Sequence, residues 1–181
     1  GTHTTLESAP LTAARSGSGY ASYGSYMYLV GGTNTGGTAN ANVYYARMNP
    51  DGTTNQWIET ASLPAIRTLV ATVAYKGYLY ALGGNNDAAD QSTVYYARIN
   101  SDGSVGPWNT TSSIGAARNG GMAVAYEGYM YYMGGTNSSA QTTTYSSAIN
   151  NDGTLAGFSA ANSLTTARSY AAVAAYNGYV Y

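Results

Sequence analysis

The chain has 181 residues, with 7 Lys plus Arg against 8 Asp plus Glu and a formal net charge of −1. Charged residues make up 8% of it, against about 25% in an average soluble domain, and a single Lys leaves no basic cluster to displace counterions from nucleic acid. Without Cys there is no disulfide scaffold, thiolate metal site or Cys nucleophile, no apolar run is long enough for membrane insertion, and 20 Tyr with 23 Gly favour strands and turns over long helices.

Residues 1–11 read as one outer strand, over 2–8, of an incomplete sheet. The stretch 12–63 opens on Arg15, runs through two apolar strands to Gly31-Gly32, and crosses a polar loop at 33–42. It continues as VYYARMN and turns at Asn49-Pro50-Asp51-Gly52, with Pro second and Gly last as a type I turn prefers. Trp57 follows. The stretch 64–114 repeats the plan with Arg67, a small apolar strand from Leu69 to Tyr75, a Lys76-Gly77 turn, Gly83-Gly84, the loop 85–93, VYYARIN, Asp102-Gly103 and Trp108. The stretch 115–164 repeats it again with Arg118, Glu127-Gly128, Gly134-Gly135, the loop 136–142, Asp152-Gly153 and Phe158. Residues 165–181 begin a further copy with Arg168 and Asn177-Gly178.

Four independent markers therefore keep a period of about 51; the arginines alone step by 52, 51 and 50. A fixed period of this length is the mark of a repeat architecture. An X-Gly pair between apolar runs signals a hairpin. Four short antiparallel strands per unit make a propeller blade. Ala, Gly and Val fill the first strand, where blades crowd at the axis. Trp57, Trp108 and Phe158 supply an outer wedge, each burying about 150–250 Å².

An apolar run closed by Gly-Gly, then Tyr44, Tyr95 or Tyr145, then Trp57, Trp108 or Phe158, resembles the kelch repeat, most nearly the tandem kelch repeats of bacterial surface and secreted proteins. The third copy departs from the pattern at Ser146 and Phe158. The resemblance covers essentially the whole chain. It implies an all-β kelch-type β-propeller, here a fragment or incomplete ring of three full four-stranded blades plus parts of another, fifteen strands in all. Kelch propellers usually have six or seven blades and mostly bind other molecules. A minority are enzymes, galactose oxidase-like or sialic-acid epimerase-like.

The first and last blades are partial, and there is no initiator Met or leader. The sequence therefore reads as a piece of a longer propeller, as a unit that self-associates to cover its open blade edges, or as an excised or engineered fragment whose main activity is assembly. Unpaired edges and open apolar faces favour association.

Little in the sequence points to catalysis. His3 is the only His and lies in the N-terminal segment, so no Ser-His-acid triad or His-based zinc site is expected, and neither a catalytic residue, a metal nor a cofactor is assigned. Asp51, Asp102 and Asp152 read as turn residues. Asp87 and Asp90, beside Asn85 and Asn86, could hold Ca²⁺ through oxygen ligands, but a solvated loop is the simpler reading. The candidate ligand-binding residues are Arg15, Arg67, Arg118 and Arg168, each opening an innermost strand and expected in a ring near one mouth of the central channel. In kelch domains arginines at comparable places bind acidic peptides, through bidentate carboxylate pairing. The competing reading is that each Arg bonds backbone carbonyls or an acid of the neighbouring blade, which repetition in every copy favours. The many Tyr read mainly as packing residues, with loop-proximal rings free to stack on sugars. Sequons stand at Asn109 and Asn137.

The expected function is a non-enzymatic binding or surface-structural module using the loops 33–42, 85–93 and 136–142, with a protein or glycan ligand and an extracellular or cell-surface location. The alternatives are a lectin-like or sugar-active propeller.

Overall fold

Each repeat starts as a hairpin, because its X-Gly pair takes the left-handed backbone that a primed turn requires. In the computed structural model, which describes residues 8–11 and 13–181, Lys76 and Gly77 have φ of 46° and 80°, and Glu127-Gly128 and Asn177-Gly178 repeat these type I′ values closely. In the first copy only Gly24 is left-handed, which fits type II′.

Three four-stranded sheets result. They contain β1 (Gly19–Tyr23), β2 (Tyr26–Val30), β3 (Val43–Arg47) and β4 (Ile58–Thr60); β5 (Ala71–Tyr75), β6 (Tyr78–Leu82), β7 (Val94–Arg98) and β8 (Asn109–Thr111); and β9 (Met122–Tyr126), β10 (Tyr129–Met133), β11 (Thr144–Ala148) and β12 (Ser159–Ala161). A two-stranded sheet, β13 (Ala175–Tyr176) and β14 (Tyr179–Val180), follows. Every pairing is antiparallel between chain neighbours. The described residues thus hold fourteen strands and no helix. The strand expected at 2–8 lies almost entirely outside them. Among the described residues no helix is long and apolar enough to cross a membrane.

The first strands of successive sheets stand side by side, β1 with β5, β5 with β9 and β9 with β13, so the sheets radiate from one axis. Alternation then decides the packing. Tyr28 and Val30 of the first sheet face Leu79 and Ala81 of the second, while Tyr80 and Leu82 face Met130 of the third. The middle sheet is covered on both faces, which is why β6 reads as a continuous apolar run. Burying each such Leu or Val contributes about 1.5–3 kcal/mol.

The wedge residues stand where the diverging sheets need bulk. Trp108 packs against the core between the first two sheets and Phe158 against the next. Trp108 Nε1 donates to the Ala61 carbonyl at 2.8 Å, tying the second sheet to the first. Trp108→Phe keeps most of the wedge and leaves that carbonyl unpaired. We expect a loss of about 1 kcal/mol by urea unfolding, whereas Trp57→Phe, on a face no described blade covers, should cost less.

The Asp-Gly turns follow the sequence reading. Gly52, Gly103 and Gly153 donate to the carbonyls of Asn49, Asn100 and Asn150, each at 3.0 Å. The Asp carboxylates accept from the backbone N–H and hydroxyl of Thr53, Ser104 and Thr154 at 2.6–3.0 Å. Those hydroxyl and amide donors hold all three carboxyls below the usual carboxylate range.

Candidate binding face: the lumen and its rim

The two markers that best define the period, Arg and Gly-Gly, meet in space. Gly32, Gly84 and Gly135 donate from their amides to the carbonyls of Arg67, Arg118 and Arg168 at 2.7, 2.8 and 2.9 Å. The amides of the same three arginines donate to Asn40, Gln91 and Gln141 carbonyls at 3.0–3.1 Å. Each Arg backbone is thus clamped between the Gly-Gly pair and the loop of the preceding blade. The approach leaves no room for a side chain. A Cβ on Gly31, Gly83 or Gly134 would stand 2.3–2.7 Å from the Arg carbonyl oxygen, and each of these glycines has φ near +60°.

Arg15, Arg67, Arg118 and Arg168 are not among the residues that line the two lumen cavities. Arg67 and Arg118 are 2% and 4% exposed. Arg67 donates to Tyr95 Oη at 3.2 Å and to the Ile66 carbonyl at 2.8 Å, with its guanidinium over the Tyr95 ring. Burial pushes its pKa down from the ordinary value, and Tyr95 opposes that shift. Arg118 donates to the Ala117 carbonyl at 3.2 Å. Arg15 is half-buried, bonded to Tyr44 Oη at 3.0 Å, and borders a hollow of about 310 Å³ with Asn34 and Thr35. Arg168 is exposed.

Among the described residues, those lining the lumen cavities are mostly small and include no Arg, Lys, Asp or Glu. A cavity of about 400 Å³ lies among residues 17–20, 69–72, 120–123 and 170–173, one set per blade. A second, of about 630 Å³, continues from Tyr20, Thr72, Ala123 and Val173 toward Met27, Leu29 and Trp57 on the open face of the first blade. At its mouth the backbone forms a chain of hydrogen bonds: Tyr170 N–H to Gly120 O at 2.8 Å, Gly120 N–H to Leu69 O at 3.0 Å, and Leu69 N–H to Gly17 O at 2.6 Å. All four residues are left-handed, with φ of 53–60°. That is why β5 starts at Ala71 rather than at Leu69, where the sequence placed it. Leu69 and Tyr170 bear a cost of about 1–2 kcal/mol for this. Two large rings stand exposed at the mouth, Tyr20 at 74% and Tyr170 at 63%.

The polar loops join into one rim. Tyr170 Oη donates to Asn119 Oδ1 at 2.9 Å, Asn119 Nδ2 donates to Asp90 Oδ1 at 2.6 Å, and Asn85 Nδ2 donates to the same oxygen at 2.8 Å. Asp87 Oδ2 accepts the Ala39 amide of the preceding loop at 3.0 Å. Both Asp side chains considered for Ca²⁺ thus act as ties between loops. Among the described residues no three His, Cys, Asp or Glu side chains converge; His3 lies outside them. Sequence reasoning missed Asn119 and Tyr170, whose partners lie 29 and 51 residues away. The available signal was Asn119 beside the repeated Arg118.

Three tyrosines are sealed in the blades. Burial raises the pKa of Tyr28, Tyr80 and Tyr132 far above the ordinary phenol value. A raised folded-state pKa means stability that is fully present below the unfolded value, about 10, and lost as pH rises beyond it. An alkaline titration followed at 295 nm should show these three ionising only on unfolding. Early ionisation of all of them in the folded chain would contradict their burial.

No family model matches the chain. Kelch-like protein 13 of Mus musculus is 38% identical over 93 residues, 51% of this chain and 14% of that protein. The Homo sapiens counterpart is 38% identical over 86 residues, and Kelch-like protein 9 of Mus musculus 36% over 86. The match thus spans about half of this chain and a small part of those relatives. Among solved structures, that of YjhT matches with a TM-score of 0.64 at 11% identity, over 83% of this chain and 46% of the other, a likeness of fold. The matches to kelch-like proteins over half the chain, the likeness of fold and the four-stranded antiparallel sheets together support a kelch-repeat β-propeller, here an incomplete one.

Proposed function

We propose that the chain is a non-enzymatic binding module that takes segments of other proteins on its loop rim. The observation that supports this most is the continuous tie from Tyr170 through Asn119 and Asp90 to Asn85, with Asp87 reaching Ala39. Loops fixed to one another in advance lose little freedom on binding, and a rigid scaffold with varied loops is a common binding design. Arg15 and Arg168 are the accessible members of the repeated set and suit acidic segments; Arg67 and Arg118 serve the blades. The open outer faces of the arc favour association with further copies. Few charges and many small hydroxyl residues fit an extracellular or cell-surface setting.

The exposed rings of Tyr20 and Tyr170 at the lumen mouth support a second reading, a glycan-binding face. One experiment separates the two: the purified chain on parallel arrays of acidic peptides and neutral glycans. Peptide retention that falls at least tenfold with Arg15→Ala plus Arg168→Ala supports the first. Retention by glycans alone, lost with Tyr20→Ala, overturns it in favour of the second.

A further inference from the structure

Two junctions inside the arc use the same contact. Gly103, in the turn between β7 and β8, lies against the Tyr26 ring, where a Cβ would stand 2.4 Å away, and its carbonyl accepts Tyr28 Oη at 3.0 Å. One blade on, Gly153 lies against Tyr78, with a Cβ position 2.6 Å away, and accepts Tyr80 Oη at 2.8 Å. The plug is an Asn-x-Asp-Gly turn held rigid by its own Asp. The socket is a pair of tyrosines two residues apart on a second strand.

Among the described residues one plug and two sockets of this kind stand free, the sockets being Tyr179–Tyr181 and Tyr129–Tyr131, the latter with Tyr129 49% exposed and rings 6.4 Å apart at 43°. Gly52 has φ of 86°, against 84° for both seated glycines, and Asp51 makes the same bonds to Thr53, yet nothing lies within 4 Å of its Cβ position. At the other end of the arc Tyr179 and Tyr181 are 68% and 72% exposed. Their rings are 6.4 Å apart at 50°, and the filled Tyr78–Tyr80 socket shows 6.5 Å and 50°. The Tyr179–Tyr181 pair matches the filled Tyr78–Tyr80 pair more nearly than Tyr129–Tyr131 does, so seating a plug there requires little rearrangement. Beside the free plug, Trp57 borders the open face with Met27 and Leu29, apolar surface that a seated blade would cover.

We propose that the Asp51-Gly52 turn of one copy seats on the Tyr179–Tyr181 pair of a second copy. This names the contact for the association proposed above and rests on it. Plug and socket lie at opposite ends, so the contact is head-to-tail.

The test is light scattering of the 181-residue chain over a concentration series. The expected result is a mass above one chain that rises with concentration. Gly52→Asn and Tyr179→Ala should each weaken association at least tenfold. Asn tolerates the left-handed backbone, and Tyr179 is exposed, so circular dichroism should show both variants folded. Gly77→Asn, at a left-handed glycine equally free of neighbours, should associate as the parent does. A single-chain mass at every concentration overturns the association and this contact together. An assembly indifferent to both Gly52→Asn and Tyr179→Ala overturns this contact alone.

Discussion

Gly31→Ala is expected to be among the most damaging single-methyl changes in the chain. The new Cβ would lie 2.3 Å from the Arg67 carbonyl oxygen, at a backbone φ of +62°. Two costs combine. The left-handed backbone disfavours any Cβ by about 1–2 kcal/mol, and pushing the Arg67 strand away breaks the 2.7 Å bond from Gly32 to that carbonyl, leaving buried polar groups unpaired at about 1–3 kcal/mol. We expect a loss of about 3 kcal/mol, read as a lower urea midpoint with little change in slope. Gly24→Ala is the control. It has a φ of +56° with nothing within 4 Å, so only the backbone cost of about 1–2 kcal/mol applies. Equal losses for the two variants would show that close approach to Arg67 does not matter.

Tyr80→Ala should cost about as much or more, through a different route. Tyr80 is fully buried, stacks on Tyr96 at 6.3 Å, and donates to the Gly153 carbonyl of the next blade at 2.8 Å. Removing the ring opens a cavity between the second and third blades, at about 3–5 kcal/mol. Tyr80→Phe keeps the ring and loses only the bond, so about 1–2 kcal/mol is expected. In a stacked-repeat protein each interface contributes nearly separately. Tyr80→Ala should therefore loosen the second and third blades while leaving the first two paired. Hydrogen exchange would show this as lost protection in β9 to β11 with β1 to β3 retained, and uniform loss across all blades would contradict it.

The architecture was legible because its determinants are local and repeated. Lys76-Gly77 dictates a turn wherever it occurs, and the Gly-Gly, Asp-Gly and Arg markers recur at one spacing. The placement of the arginines was partly legible: the reading that repetition favoured, bonds to backbone carbonyls, holds for Arg67 and Arg118. What the repeat pattern held but did not announce is the side-chain partner: Arg15 and Arg67 each lie over the repeated tyrosine 29 or 28 residues on, Tyr44 or Tyr95, and bond its hydroxyl. The conformation of Leu69 was not legible. Its left-handed backbone arises from a bond to Gly17, 52 residues earlier, and a Leu gives no hint of it. The rim was half legible: the loops were marked as one surface, but the tie of Asn119 to Asp90 crosses a blade boundary. Sequence patterns within one repeat are blind to partners in the next.

The clamp between Gly-Gly and the following Arg is made of main-chain atoms on both sides. A junction of that kind is indifferent to which copy comes before and which after. Genetic duplication or reshuffling of whole units would therefore yield seams that fit at once, while the loops between them diversify freely. An arc with its three units in a different order should fold as readily as this one.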